Sequence, residues 1–271
     1  MSPPAPPLAV VLAGERPGER DPVARAAGVA TKALVPVAGR AMVERVVDAL
    51  AATPGIGPIR LVARPETGLL ALPGLRALAE LGRLELLSPA ASPAASVAAA
   101  LDSATGAPIL VTTADHPLLS PALVASFLAG ARASGADLAL GLAPAAAVLS
   151  LAPQTRRTWW RFADGRWSGA NLFWLAGPSA RPALAFWRRV EAERKRPWRI
   201  VRLLGPLDLL LYLTRSLTLA AALERASRRL GCRVAAVPLA AGEAAIDVDK
   251  PEDLVLAEAI LTRRAAAGAG R

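Results

Sequence analysis

Five short apolar runs, separated by stretches with helical periodicity, restrict what this chain can fold into more than any other feature of its sequence. The runs are Leu8–Ala13, Ile59–Ala63, Leu84–Ser88, Ile109–Thr113 and Leu138–Leu142. Helical patterns lie between them, over Ala41–Ala52, Gly68–Leu81, Pro93–Ala104 and Pro121–Ser134. Runs of about five apolar residues without polar alternation are strands buried on both faces, and such strands need helices above and below. The pattern predicts an α/β fold, a three-layer sandwich around a mostly parallel mixed sheet. Loops at the carboxyl ends of its strands then build the site.

The first of those loops is the most informative. Leu12, Ala13 and Gly14 end the first run and lead into E-R-P-G-E-R-D-P (Glu15–Pro22), and Lys32 follows inside T-K-A-L-V-P-V-A-G-R (Thr31–Arg40). A buried strand opening into a Gly-bearing loop offers backbone N–H groups and cations at a sheet edge, where phosphate binds well. Lys32 adds a point charge, and Arg16, Arg20 and Arg25 add more. The plainer reading is an ordinary strand–loop–helix connection with a solvated basic loop.

A chain of 271 residues can bury a full core as one domain, with 8–142 as a first half, 145–240 as a second and 241–264 as a closing loop and helix. The net charge of +10 favours anionic partners. The single Cys232 cannot form an intrachain disulfide, which suits a reducing compartment and a role as small apolar filler. No stretch reads as a signal peptide, and Leu203–Leu223 is interrupted by Asp208 and Arg215, so a cytoplasmic location is expected.

After Pro144 the pattern changes. Arg156–Leu175 reads as a hairpin turning at Asp164-Gly165, with aromatic and basic residues interleaved. Pro182–Arg194 reads as a helix, R-K-R-P-W-R (Arg194–Arg199) as a basic knot broken by Pro197, and Leu207–Leu230 as one or two mainly apolar helices. Residues 178–232 are expected to form a helical insertion that covers the acceptor side or makes a homodimer contact, because Leu207–Leu223 is too apolar for a solvated helix. Arg233–Leu239 returns to strand, Glu252–Arg264 forms a closing helix, and residues from Ala265 on are expected to fray.

Four pieces carry chemistry. Beside the first loop stands V-T-T-A-D-H-P-L-L (Val111–Leu119), where Asp115 ends a strand and can hold a hard divalent cation or merely cap the next turn. His116 is the only histidine, too few for a zinc site, and is given no proton-transfer role. In A-I-D-V-D-K-P-E-D-L (Ala245–Leu254), alternation puts Asp247 and Asp249 on one face; an ordinary N-cap accounts for Asp249 but less readily for Asp247. Ser92 and Ser96 flank a helix start, placed to read a base edge or simply to cap the helix. In the second half, Asn171 on S-G-A-N-L-F (Ser168–Phe173) can meet acceptor hydroxyls or be an amide satisfied by backbone. The six tryptophans read mainly as core or interface, with ligand stacking as the alternative. Arg194, Lys195, Arg196, Arg199 and Arg202 form a second anion site or a solvated charge run.

Taken together, L-A-G with a basic loop and K-A-L-V-P-V-A-G-R, then T-A-D-H-P, then D-V-D-K-P-E-D-L, resemble the MobA-like nucleotidyltransferases, which have a Rossmann-like fold. The resemblance covers 8–142 well, 233–262 reasonably and the middle in outline. It implies that Leu12, Ala13, Gly14, Arg16 and Lys32, with Ser92 and Ser96, bind an NTP (CTP or GTP foremost). It implies that Asp115 holds Mg²⁺, with Asp249 or Asp247 completing the metal site, and that Asn171 meets the acceptor. Glu15 stands where the family has a second glycine, and the loop to Lys32 is longer than usual.

The chemistry implied is in-line attack by an acceptor phosphate oxygen on the α-phosphorus, releasing pyrophosphate. An anionic acceptor needs no strong base, which suits a chain with one histidine. The competing readings are a nucleotide-sugar-dependent glycosyltransferase with Asp247-Val248-Asp249 as its metal pair, and a non-enzymatic peripheral-membrane or anion-binding module that uses the basic and apolar 188–223 region. Nucleic acid is not an expected partner, and G-E-R-P-G-E lacks the spacing of a dinucleotide fingerprint.

Overall fold

The computed structural model describes residues 5–14, 21–193 and 205–269. β1 (Leu8–Leu12) is followed by a small ribbon of β2 (Pro36–Val37) and β3 (Arg40–Ala41), then by β4 (Ile59–Val62), β5 (Leu84–Leu87), β6 (Ile109–Thr113) and β7 (Leu138–Pro144). The hairpin β8 (Trp160–Phe162) and β9 (Gly165–Leu175) and the strand β10 (Val234–Pro238) complete the set. Outside the ribbon, all of these strands form one eight-stranded sheet in the order β10-β7-β9-β6-β1-β4-β5, with β8 on β9. β1 pairs parallel with β4 and β6, β4 with β5, and β10 with β7. β9 alone enters the middle against the grain, antiparallel to both β6 and β7. The sheet is therefore mostly parallel and mixed, and it draws strands from both halves of the chain.

Helices cover both faces, as strands this apolar require. Along β1, Ala9 and Val11 join Val46 and Leu50 of α2 (Met42–Ala51), Leu75 of α3 (Pro73–Glu80) and Phe127 of α5 (Pro121–Ser134). Leu8 and Val10 point the other way, to Val97 and Leu101 of α4 (Pro93–Ser103) and Leu184 of α7 (Arg181–Glu193). α5 begins and ends where its sequence says it should. Ser120 accepts the Leu123 N–H at 3.3 Å, Pro121 fills the first position, and Gly135 closes the helix in the left-handed conformation.

The expected apolar stretch near the end of the middle region divides in two, α8 (Pro206–Leu213) and α9 (Leu219–Leu230). α7 and α9 belong to the helical layer: Ala183, Cys232 and Val234 are buried together, with Leu223 and Leu230 packed against them. No helix among the described residues is long and apolar enough to cross a membrane. A short α6 (Ala145–Leu151), absent from the sequence reading, follows β7. Gly242 lies so close to it that a β-carbon there would overlap the Ala147 carbonyl, which pins the turn Gly242–Ala245 under the closing segment. The closing helix α10 runs Pro251–Ala269, beyond the expected fraying point, because the alanine run from Ala265 favours helix.

A smaller apolar cluster positions the site. Ala257 and Ile260 of α10, with Ile246 and Val248 before it, pack on Val23 of α1 (Pro22–Ala26), on Val35 and Val37, and on Met42. That contact brings the last segment of the chain over the first loop.

Candidate active site

Lys32 opens a short 3-10 turn, Lys32–Leu34, directly beneath the carboxyl ends of β1 and β6. Its Nζ donates to Asp115 Oδ2 at 2.9 Å and to Asp249 Oδ1 at 2.7 Å. The two carboxylate oxygens thus lie no farther apart than those two bonds together allow. Burial alone would pull the Lys32 pKa down, but the two carboxylates outweigh it and the net direction is up. The ammonium therefore stays charged through the physiological range.

Neighbouring groups fix the Asp115 side chain and the backbone at Asp249. Asp115 Oδ1 accepts the Thr113 hydroxyl at 2.6 Å, and the Asp115 carbonyl accepts the Val248 N–H at 2.8 Å, tying the end of β6 to the 246–249 segment. Asp253 Oδ2 accepts the N–H groups of Asp249 and Lys250 at 3.1 and 3.0 Å, reaching back over the first turn of α10. The capping task thus falls to Asp253, which leaves the Asp249 carboxylate to face Lys32. Asp115 likewise faces Lys32 rather than the turn after it.

Asp247 has a different environment. The 246–249 segment pairs in no sheet, and the Asp247 carboxylate turns to Arg157, which donates to Oδ1, and to Asn171, whose Nδ2 donates to Oδ2 at 2.9 Å. The face expected to carry both aspartates is therefore divided between two sets of partners, one for each carboxylate. Asn171 owes its aim to an irregularity in the sheet. A register shift between Leu140 and Leu142 leaves Ala170–Leu172 opposite Gly141 alone, and Asn171 adopts φ 49°, a left-handed conformation uncommon for a residue with a side chain.

Arg157 is the residue the sequence reading missed. Its side chain is only 9% exposed, and burial pushes its pKa down against the pull of Asp253, Asp249 and Asp115. In the sequence it is one of several arginines opening an aromatic hairpin, and nothing distinguishes it from its neighbour Arg156.

The cleft over these residues has a volume of about 380 Å³ and is lined by Leu12, Ala13 and Gly14, by Asp21, Pro22, Lys32 and Ala33, and by Ala114, Asp115 and Asp249. The expected Leu12, Ala13 and Gly14 thus join Lys32 there, while Arg16 and Arg20 lie outside the described residues. Asp21 Oδ1 takes the Val23 and Ala24 N–H groups at 2.8 and 3.2 Å, so the start of α1 is capped by its own chain. Ser92 and Ser96 are not part of the lining. Ser92 Oγ caps α4 through the Ala95 N–H at 3.2 Å, and Ser96 Oγ accepts the Ala90 N–H at 2.9 Å while donating to the Ser92 carbonyl. Their loop does reach the cleft, since a β-carbon on Gly14 would touch Pro89.

Trp174 and Trp187 are packed within the layers, Trp187 against Phe173, whereas Trp198 and the basic knot from Arg194 through Arg202 lie outside the described residues.

His116 is buried below the cleft, with Nε2 at 3.2 Å from the Glu243 carbonyl, an acceptor, so this nitrogen carries the proton. Burial drives its pKa down to about 4, chiefly by desolvation, against the attraction of Asp115. The unfolded chain therefore binds a proton that the folded chain refuses between about pH 6.5 and the folded value, and stability falls as pH drops through that window. This one group is expected to cost about 3 kcal/mol by the lower end. Urea midpoints for the wild type and His116→Gln should converge above pH 7 in their pH dependence, with the extra acid loss confined to the wild type. Parallel acid profiles would show that His116 is not the group responsible.

Known proteins share both the sequence pattern and the fold. The sequence profile of the MobA-like NTP transferase domain matches residues 9–207. A hypothetical transferase from Thermus thermophilus is 37% identical with a TM-score of 0.76, over 92% of this chain and 99% of its own. The CMP:2-keto-3-deoxy-manno-octonic acid synthetase in complex with CTP is 14% identical with a TM-score of 0.56, over 95% of this chain and 99% of its own. The 2-C-methyl-D-erythritol 4-phosphate cytidylyltransferase from Thermus thermophilus is 20% identical with a TM-score of 0.53, over 93% of this chain and 98% of its own. These last two share the fold. None of the curated proteins matches the chain. The profile spans well over half of the sequence, and the chain belongs to the MobA-like NTP transferase family.

Proposed function

We propose that this protein is a Mg²⁺-dependent nucleotidyltransferase that moves NMP from an NTP to a phosphorylated small-molecule acceptor and releases pyrophosphate. The observation that carries the reading is the Lys32 ammonium lying between Asp115 and Asp249 at the floor of a cleft edged by Gly14. Two carboxylates converging on one cationic point are a hard-oxygen donor set of the kind Mg²⁺ takes, since it binds through one or two carboxylates and substrate phosphates. Asp115 and Asp249 would hold the ion. When bound, it supplies charge neutralisation to the phosphate oxygens.

The chain's own residues do the rest. Lys32 offsets negative charge as it builds on the triphosphate, and the backbone at Ala13 and Gly14 lets the phosphates approach closely. An acceptor phosphate oxygen attacks the α-phosphorus in line; the new P–O bond forms as the bond to the β-phosphate oxygen breaks, and pyrophosphate leaves with that electron pair. Asn171 and Arg157, locked through Asp247, orient the acceptor from the β8–β9 side. No general base is called for, in keeping with His116 being buried and neutral.

The same geometry disfavours the glycosyltransferase reading, which needs Asp247 and Asp249 as one metal pair. Asp247 faces Arg157 and Asn171 while Asp249 faces Lys32, so the two carboxylates do not converge on one point. The test is pyrophosphate release from each of four NTPs against sugar phosphates, polyol phosphates and phosphorylated pterins. CTP comes first because solved relatives include a CTP complex and a cytidylyltransferase, and GTP second. Release should require NTP, acceptor and Mg²⁺ together. Sugar transfer from a nucleotide-sugar without pyrophosphate would replace this reading with the other.

A further inference from the structure

α8 is assembled inside out. Leu207, Leu210 and Leu213 follow one another at intervals of three, so they share a stripe, and they are 57%, 57% and 66% exposed. No residue of this eight-residue helix is buried. Its attachment to the fold comes from the opposite side, through Asp208 and Tyr212, spaced by four. Asp208 receives Arg225 and Arg229 of α9, the latter at 3.0 Å. The Tyr212 hydroxyl accepts the Arg161 N–H at 3.3 Å, and its ring meets Phe162 edge to face at 5.6 Å. A solvated helix turns its leucines inward and its aspartate outward. Here the polar side is the anchor and the apolar side faces out.

The surroundings add two features. Trp160, 38% exposed, lies two residues from Phe162 on β8 and so shares the face against which α8 sits. Across residues 160–167 and 205–230, the segments that hold and flank α8, there are six arginines against three carboxylates. Two copies meeting on this face would bring like charge to like charge. Three leucines and a tryptophan also fall short of the about 800 Å² per partner that a standard protein interface buries. Arg225 and Arg229 are taken up by Asp208 and Arg228 by Glu224, so the excess charge rests on Arg161, Arg166 and Arg215, and an anionic lipid surface offers apolar depth for the leucines and phosphates for these arginines.

We propose that α8 docks this protein on an anionic membrane surface, with Leu207, Leu210 and Leu213 entering the boundary between headgroups and acyl chains and Trp160 at its rim. This is independent of the catalytic reading, since none of these residues lines the cleft.

The experiment is co-sedimentation of the full chain with vesicles of phosphatidylglycerol and phosphatidylcholine in equal parts, and with phosphatidylcholine alone. The chain should pellet with the first, remain in solution with the second, and be released as salt rises. Leu207→Gln/Leu210→Gln/Leu213→Gln keeps every charge, so it isolates the leucines from the general basicity of the chain. It should lower partitioning by about tenfold or more while leaving the thermal midpoint in place, because the three side chains are exposed. A triple variant that pellets like its parent would overturn the proposal, as would a parent that ignores anionic vesicles. A dimer in sedimentation velocity that the triple variant dissolves would assign the face to a second copy instead.

Discussion

Replacing Lys32 with alanine is expected to lower the rate of pyrophosphate release by about 10² to 10³, the usual cost of removing one preorganised group from developing charge. The variant loses the ammonium that Asp115 and Asp249 share, at 2.9 and 2.7 Å, and leaves two carboxylates facing each other at the phosphate position. Folding should be little affected, since the Asp249 side chain is 63% exposed and can hydrate. Lys32→Arg should recover little, because a planar guanidinium does not fit as a compact charge between two carboxylates. Unchanged release in Lys32→Ala would remove this residue from the reaction.

The second large effect concerns the aspartates themselves. Asp115→Asn and Asp249→Asn should each reduce Mg²⁺-dependent turnover by about a thousandfold, equivalent to several kcal/mol of lost transition-state stabilisation. The double variant should be little worse than either, since two ligands of one ion act as a unit. Asp247→Asn is the informative contrast. Its carboxylate is engaged by Arg157 and Asn171 rather than Lys32, so its loss should appear mainly in the KM for the acceptor. Multiplicative losses at Asp115 and Asp249, measured over a Mg²⁺ titration, would rule out a shared ion.

How much of this the sequence could reveal follows from the range over which each feature is determined. Ile109–Thr113 and Pro121–Ser134 carry the same ends in sequence and structure, because local signals set them: a run of buried-strand residues for one, Ser120, Pro121 and Gly135 for the other. Gly14 and Asp115 were legible as candidates because each closely follows such a strand, Asp249 because it stands just before the closing helix, and Lys32 because it lies in the motif after the first loop. Ser92 and Ser96 fit two roles from spacing alone, and the structure engages both hydroxyls with the start of α4. Arg157 was illegible. Its place depends on Asp247, ninety residues on, and on a bulge at Asn171 that no local pattern announces. The position of β9 escaped for the same reason, because strand order is a long-range property.

That strand has a consequence for how the protein is made. β1, β4, β5 and β6 can assemble as soon as residues 8–113 are available, but β6 then waits with one edge bare until β9, beginning at Gly165, slides in beside it. The waiting edge is I-L-V-T-T, rich in β-branched residues and without a proline or charge to deter pairing with another chain. Nascent or truncated forms ending before residue 165 would therefore expose a self-complementary ribbon at the centre of what becomes the sheet. The hazard of aggregation is concentrated in that interval of synthesis, and it ends when a single antiparallel strand closes the gap.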